Sequence, residues 1–134
     1  MAQAEHLPIY KASYDLCLYL ERVTRNFSRA HKYTLGADLR DGTRRVLKLI
    51  VRANARYDKA PLLLEVREEI EALKVVVRLC QDVKAFSNFG AFEQAIGQVV
   101  EIAKQNEGWL KSQRQGHGQS RRAMPAGPAA PGAP

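Results

Sequence analysis

The strongest constraint on the fold is a heptad spacing of apolar residues in the second half of the chain. From residue 63 to residue 80, apolar side chains recur at alternating intervals of three and four, at Leu63, Val66, Ile70, Leu73, Val77 and Cys80. The same spacing returns between residues 89 and 110, at Phe89, Phe92, Ile96, Val99, Ala103, Asn106 and Leu110. This spacing forms one apolar stripe along an α-helix, by which helices pack side by side. The pattern predicts two long helices in a bundle, the second capped by Ser87 or Asn88.

Two further helices are predicted before this pair. The first begins at Pro8, a residue favoured at a first helical position, and its buried face comprises Ile9, Ser13, Leu16, Leu20, Val23 and Phe27. A connection from Ser28 to Gly36 leads into the second, which extends to about Tyr57 and buries Leu35, Leu39, Val46, Leu49, Ile50, Ala53 and Tyr57. Asp58 is expected to cap the third helix. Residues 8–112 lack the apolar and polar alternation of strands, so the sequence predicts an all-α, up-down-up-down antiparallel four-helix bundle.

The chain of 134 residues corresponds to one domain with two flanking segments. We expect a flexible N-terminal arm over residues 1–7, the four-helix bundle over residues 8–112 and a disordered basic tail over residues 113–134. The tail is dense in Gly, Pro and Ala, and Met124 is its one large apolar residue. Burial therefore cannot offset the entropy that ordering such a segment would cost.

Catalytic groups and metal ligands do not converge in this sequence. The three histidines, His6, His31 and His117, fall on the predicted arm, connection and tail. A metal site or a Ser-His-Asp site would therefore lack its imidazole. The acidic residues of the third helix have no histidine three residues further on, as a di-iron bundle requires, and Gly36 and Gly42 match no phosphate-binding loop. We expect no enzymatic activity, no metal and no cofactor.

The cysteines and the N-terminal residues indicate the cellular compartment in which the protein is expected. Cys17 and Cys80 lie within apolar helical patterns and have no CxxC neighbour, which favours small buried side chains in a reducing environment. The first residues lack the basic and apolar regions of a secretory signal. No apolar run approaches the roughly 18 residues that a membrane span needs. We therefore expect a cytoplasmic protein without membrane association.

Positive charge is concentrated on the second predicted helix. The chain has 21 Lys and Arg against 14 Asp and Glu, a formal net charge of +7, which favours a polyanionic partner such as nucleic acid. On a helical projection, Arg45, Lys48, Arg52 and Arg56 fall within a sector of about 80°, away from the apolar face. The candidate nucleic-acid-binding residues are Arg29, Lys32, Arg44, Arg45, Lys48, Arg52 and Arg56. The alternative, that the stripe is only a solvated helix face, stays open at this point.

The third predicted helix is apolar on more than one face. Lys74 and Arg78 lie one turn apart in a stretch that is otherwise apolar from Leu73 to Leu79. A second apolar face on so short a chain indicates a subunit or partner interface, with Lys74 and Arg78 at its edge as candidate partner-binding residues. The alternative is that Val75 and Val76 only fill out the bundle.

Five short stretches of the chain occur in the order and spacing of a known family. They are Pro8-Ile9-Tyr10-Lys11 with Tyr14-Asp15-Leu16, Lys32-Tyr33-Thr34-Leu35-Gly36, Arg52-Ala53-Asn54-Ala55-Arg56 leading to Lys59, Arg78-Leu79 with Asp82, and Gly108-Trp109-Leu110-Lys111-Ser112. Over about residues 7–112 the chain thereby resembles the accessory variability determinant (Avd) family of diversity-generating retroelements. The tail lies outside the resemblance.

The resemblance implies a function as well as a fold. Members of this family are small four-helix bundles, related to proteins encoded in intervening sequences of ribosomal RNA genes, and they assemble as homopentameric rings. The implied role is that of a non-catalytic partner of the retroelement reverse transcriptase, which binds the enzyme and its template RNA or cDNA during error-prone copying of a target gene. The alternative is a structural bundle of the ribosomal intervening-sequence type with no polymerase partner. A neighbouring reverse-transcriptase gene would distinguish the two.

Overall fold

A computed structural model of the chain describes residues 3–123, with side chains through residue 116. A short 3-10 helix, Ala4–His6, precedes five α-helices: α1 (Pro8–Thr24), α2 (Arg29–Lys32), α3 (Leu35–Asn54), α4 (Ala60–Asp82) and α5 (Phe89–Ala123). Residues 3–123 contain no strand. Within this part of the chain, no helix has the length and apolar content to cross a membrane.

The four long helices form an antiparallel bundle. Helix α3 packs against α1 and α4, and α5 packs against α4 and α1, so that α1 lies diagonally opposite α4. The connections between successive long helices are short, which makes neighbours along the chain antiparallel neighbours in space. The predicted all-α four-helix bundle is confirmed. The turn-length helix α2 lies within the connection predicted between Ser28 and Gly36.

The heptad stripe of α4 is the centre of the core. All six residues predicted there are buried: Leu63, Val66, Ile70, Leu73, Val77 and Cys80. Each large aliphatic side chain of this kind contributes about 1.5–3 kcal/mol to stability when fully buried. The predicted buried face of this helix is therefore confirmed.

The buried stripe of α5 differs from the predicted one at its start and at two interior positions. Val99, Asn106 and Leu110 are buried as expected, but Phe89 is 58% exposed. Ala95 and Ile102 are fully buried, whereas their neighbours Ile96 and Ala103 are only half-buried. Both residues are apolar in the pair Ala95 and Ile96 and in the pair Ile102 and Ala103, so the apolar spacing is satisfied by either residue of a pair. The packing of α5 against α1 and α4 determines which residue is buried.

Two helix ends differ from the prediction, and one agrees with it. Helix α3 stops at Asn54, where the Lys59 ammonium donates to the carbonyl oxygens of Asn54 and Arg56. The placement of Tyr57 on the buried face is therefore wrong, since its side chain is 82% exposed. The prediction of Asp58 as N-cap of α4 is also wrong, because Lys59 occupies that position without a side-chain cap. Asn88 caps α5 as predicted: its Oδ1 accepts the Ala91 N–H at 2.9 Å.

Both segments flanking the bundle contain helix. The predicted arm includes the 3-10 helix Ala4–His6, and Leu7 packs against the core. The predicted tail, 113–134, begins inside α5, which continues to Ala123. Gln and Arg are good helix formers, so Gln113, Arg114 and Gln115 carry the helix past the bundle. The remainder of the tail, 124–134, lies outside the described residues, and its predicted disorder stays a prediction.

Both cysteines are free thiols. Burial, together with the nearby carboxylate of Asp38, raises the pKa of Cys80 to about 12. Burial also raises the pKa of Cys17, which lies at the boundary between α1 and α3. Because the thiolate is the reactive form of cysteine, both side chains act as packing groups. Among the described residues, no group of three or more His, Cys, Asp or Glu side chains is placed to hold a metal ion.

Candidate nucleic-acid interface

The basic residues of α3 lie along its outward edge. The buried face of the helix is formed by Leu39, Val46, Ile50 and Ala53. Four exposed cations lie in sequence on the side away from this face: Arg45, Lys48, Arg52 and Arg56. We call these four residues the α3 stripe. Residues four apart are separated by about 6 Å along a helix axis, a distance close to that between neighbouring phosphates of one nucleic-acid strand. The stripe can therefore follow a phosphate backbone.

The members of the α3 stripe differ in how much of their charge is available. Arg45 donates from Nε to the Glu69 carboxylate of α4 at 3.0 Å. Lys48, Arg52 and Arg56 make no salt bridge within residues 3–116. Arg56 lies just past the end of α3, and its backbone N–H still bonds the Ala53 carbonyl at 3.1 Å, which keeps it in the last tightened turn. The C-terminal half of α3 thus carries the uncompensated charge.

Arg44 does not belong to this surface. Its guanidinium bonds the Glu21 carboxylate of α1 at 3.1 Å and the Asp41 carboxylate on its own helix. It faces the α1 side of α3, whereas Arg45 faces α4. Its charge is therefore balanced by two acids, and the structure does not join it to the other candidates.

Arg29 and Lys32 lie at the opposite end of the bundle from Arg52 and Arg56. They belong to α2, directly before α3 begins, and the 20 residues of α3 extend about 30 Å. The structure thus separates the seven candidates into the α3 stripe, a pair at α2 and the neutralised Arg44. The neutralisation of Arg44 could not be predicted from the sequence, because it depends on which helix lies beside α3.

Arg40 has a structural role that sequence reasoning missed. Its guanidinium donates to Thr24 Oγ1 at the end of α1, at 3.0 Å, and to the carbonyl oxygen of Lys32 in α2, at 3.3 Å. It therefore ties the α1–α2–α3 connection together. In the sequence it differs from the other arginines of α3 only by its position between the apolar and basic faces, which is a weak signal.

The candidate partner residues Lys74 and Arg78 lie on the outer side of α4, where Lys74 borders α5. Lys74 forms a salt bridge with Glu71 at 2.9 Å, whereas Arg78 is exposed and makes no salt bridge within residues 3–116. Two adjoining grooves, of about 500 and 360 Å³, share Glu71 and Lys74 in their lining. The larger one reaches Asn106, a fully buried residue whose Nδ2 donates to the Leu63 carbonyl at 3.0 Å.

The exposed apolar side chains include two groups, one on α4 and one on α1 and α3. The first, the α4 patch, consists of Val75, Leu79 and Val83, and Val75 is 66% exposed. The second, the α1/α3 patch, consists of Tyr14 and Leu18 on α1 with Val51 on α3. Exposed apolar residues clustered in this way indicate contact surfaces. The α4 patch is the second apolar face that the sequence analysis expected.

Comparison with known protein families identifies this chain's relatives. A family model described as bAvd-like matches residues 7–113. This range covers nearly the whole described bundle and agrees closely with the range of about 7–112 over which the short stretches resemble the family. No curated protein matches the chain.

Proposed function

The chain belongs to the bAvd-like family of accessory variability determinant proteins, and from this premise we propose that it is a non-catalytic, nucleic-acid-binding partner of a retroelement reverse transcriptase. In this role it binds the enzyme and its template RNA or cDNA during the mutagenic copying carried out by a diversity-generating retroelement. The observation that carries the nucleic-acid part of the proposal is the run of Lys48, Arg52 and Arg56, whose exposed charges meet no acidic partner within residues 3–116.

The basic surface gives the proposal its physical basis. A helix edge with regularly spaced cations neutralises phosphates and releases condensed counterions, so its binding is largely independent of base sequence and strongly dependent on salt. A protein that follows a template during copying needs this kind of contact, because the bases at the interface change as synthesis proceeds.

We also propose that the chain assembles as a homopentamer. The α4 patch and the α1/α3 patch are different surfaces, and α1, which carries Tyr14 and Leu18, lies diagonally opposite α4. Contact between two different surfaces is heterologous, and such contacts close into a ring when the rotation between subunits permits. A ring of five chains would carry five times the +7 of one chain and would present the α3 stripe in five copies, which strengthens attraction for a polyanion.

The salt dependence of binding tests the nucleic-acid part. We expect Arg52→Gln with Arg56→Gln to lower affinity at low salt and to flatten the plot of log K against log salt. The slope should shrink by about 0.7 on single strands, or about 0.9 on duplex, for each phosphate that the variant no longer neutralises. Both residues are exposed, so the free energy of unfolding should change by no more than about 0.5 kcal/mol per site. Fluorescence anisotropy over a salt series measures the slope.

The matched control removes the same charge from the diagonally opposite helix. Lys104→Gln with Lys111→Gln changes two exposed residues of α5 and should leave the slope nearly as in wild type. If the α3 double variant keeps the full wild-type slope, the α3 stripe is a solvated helix face and does not contact phosphate.

Lys74→Ala with Arg78→Ala tests the partner surface. We expect this double variant to lose most of its ability to retain the reverse transcriptase in a pull-down, while its helicity and mass stay unchanged. The Lys74–Glu71 pair is local to α4, and an exposed pair of this kind contributes at most about 1 kcal/mol to stability. The control is Arg22→Ala with Arg25→Ala, which removes two exposed cations near the end of α1. Wild-type retention of the enzyme by the α4 variant would exclude this surface as the docking site.

A further inference from the structure

We infer that Tyr57 is a stacking platform for an unpaired base at the end of the α3 stripe, so that the nucleic acid held there is single-stranded. This inference rests on the proposed nucleic-acid-binding function and specifies its substrate class. Its starting observation is an aromatic ring that is 82% exposed and directly follows Arg56 in the chain. At this exposure most of the ring surface is open to solvent, where a base can reach it.

The turn that carries Tyr57 is held by its own hydrogen bonds. The Lys59 ammonium donates to the carbonyl oxygens of Asn54, at 3.2 Å, and of Arg56. The N–H of Ala55 bonds the Arg52 carbonyl at 3.1 Å. These bonds hold the backbone on both sides of Tyr57, so that the ring is presented from an ordered bend between α3 and α4.

The charges around Tyr57 favour phosphate. From Arg45 to Lys59 the chain carries five cations and one acid, Asp58. Helix α4 begins directly after this turn, with no acidic residue in its first turn and no side-chain cap at its N-terminus. Its first backbone N–H groups and the positive end of its dipole therefore add to the attraction for an anion.

The α3 stripe, followed by the ring of Tyr57, fits single-stranded nucleic acid better than a duplex. Single-strand sites combine a basic track for the phosphates with aromatic rings on which bases stack. In a duplex the bases are already stacked on one another, so Tyr57 could gain a base only by unstacking it. Lys48, Arg52 and Arg56 would contact either form, and Tyr57 adds affinity for the unpaired form alone.

The test measures three probes of equal length with the full chain: oligo(dT), the oligo(dA)·oligo(dT) duplex and an abasic strand that has phosphates but no bases. We expect Tyr57→Ala to weaken oligo(dT) binding between about 5-fold and 150-fold, the range for removing one aromatic ring from beneath a base. Duplex and abasic affinities, and the salt slope on all three probes, should stay as in wild type. Tyr57→Phe should keep oligo(dT) affinity, because the ring remains.

Tyr33→Ala is the matched control, since Tyr33 is also an exposed tyrosine beside basic residues but precedes α3 at its other end. It should keep wild-type affinity for all three probes. Equal losses in the Tyr33 and Tyr57 variants, equal losses on duplex and single strand, or no loss in Tyr57→Ala would each overturn the inference. If wild type binds none of the probes, the proposed nucleic-acid function fails as well. If Arg52→Gln with Arg56→Gln flattens the slope while Tyr57→Ala binds normally, only the stacking inference fails.

Discussion

Replacing Leu79 by glutamate should reduce the particle in solution from about 75 kDa, five times the 15.0 kDa of one chain, to a monomer. Leu79 is 45% exposed in the middle of the α4 patch, between Val75 and Val83. In the proposed ring this patch is covered by a neighbouring subunit. A carboxylate there would have to lose its hydration within an apolar contact, at a cost of several kcal/mol per interface. Light scattering at micromolar concentration measures the mass.

Loss of the ring should also weaken nucleic-acid binding. Several linked copies of the α3 stripe on one strand bind by avidity, which can exceed the affinity of one copy by about 10²- to 10⁴-fold. The Leu79→Glu variant keeps every residue of the stripe, so its loss of affinity would report assembly alone. The control, Ser112→Glu, adds the same charge to an exposed position of α5 and should remain at about 75 kDa. A wild-type chain that scatters as a monomer would remove the ring from the proposal.

Leu63→Ala should be the most destabilising of the substitutions considered. Leu63 is fully buried at the start of the α4 stripe, and truncating a buried leucine costs about 2–5 kcal/mol through lost transfer energy and the cavity left behind. The carbonyl of residue 63 still accepts from Asn106 Nδ2, so the loss reports packing alone. Urea unfolding measures the change, and the Leu79→Glu background separates unfolding from subunit dissociation.

The adjacent residue provides the control for this measurement. Leu64 is 37% exposed, and Leu64→Ala should cost no more than about 1 kcal/mol because its side chain leaves no enclosed cavity. Equal losses in the two variants would contradict the assignment of the α4 core face.

The fold could be predicted from the sequence where the apolar spacing is kept over several heptads. In α4 the alternation of three and four residues runs from Leu63 to Cys80, and every residue of that series is buried. In α5 the pairs Ala95 and Ile96, and Ile102 and Ala103, offered two equally apolar stripes, and only the packing of α1 and α4 selects between them. The end of α3 depends on Lys59 reaching back to Asn54 and Arg56, an interaction that periodicity does not contain.

The residues of the candidate site could be predicted from the sequence, but their salt-bridge partners could not. The exposed face of α3 follows from helical periodicity, so Lys48, Arg52 and Arg56 were identified with their orientation. The pairing of Arg44 with Glu21 and of Arg45 with Glu69 depends on which helices lie beside α3, which periodicity alone does not specify. Tyr57 was missed because extending α3 by three residues placed its ring on the buried face.

The way the four long helices follow one another also bears on how the protein forms in time. Three of the four packed pairs join helices that are consecutive among the long ones, and only the contact between α1 and α5 closes across the chain. Bundles dominated by such local contacts fold within about microseconds to milliseconds, whereas two protein surfaces typically find each other at about 10⁵–10⁷ M⁻¹s⁻¹. At micromolar concentration the association of folded subunits is therefore slower than the folding of each chain. The abundance of the chain, rather than its folding, therefore sets how quickly complete assemblies accumulate.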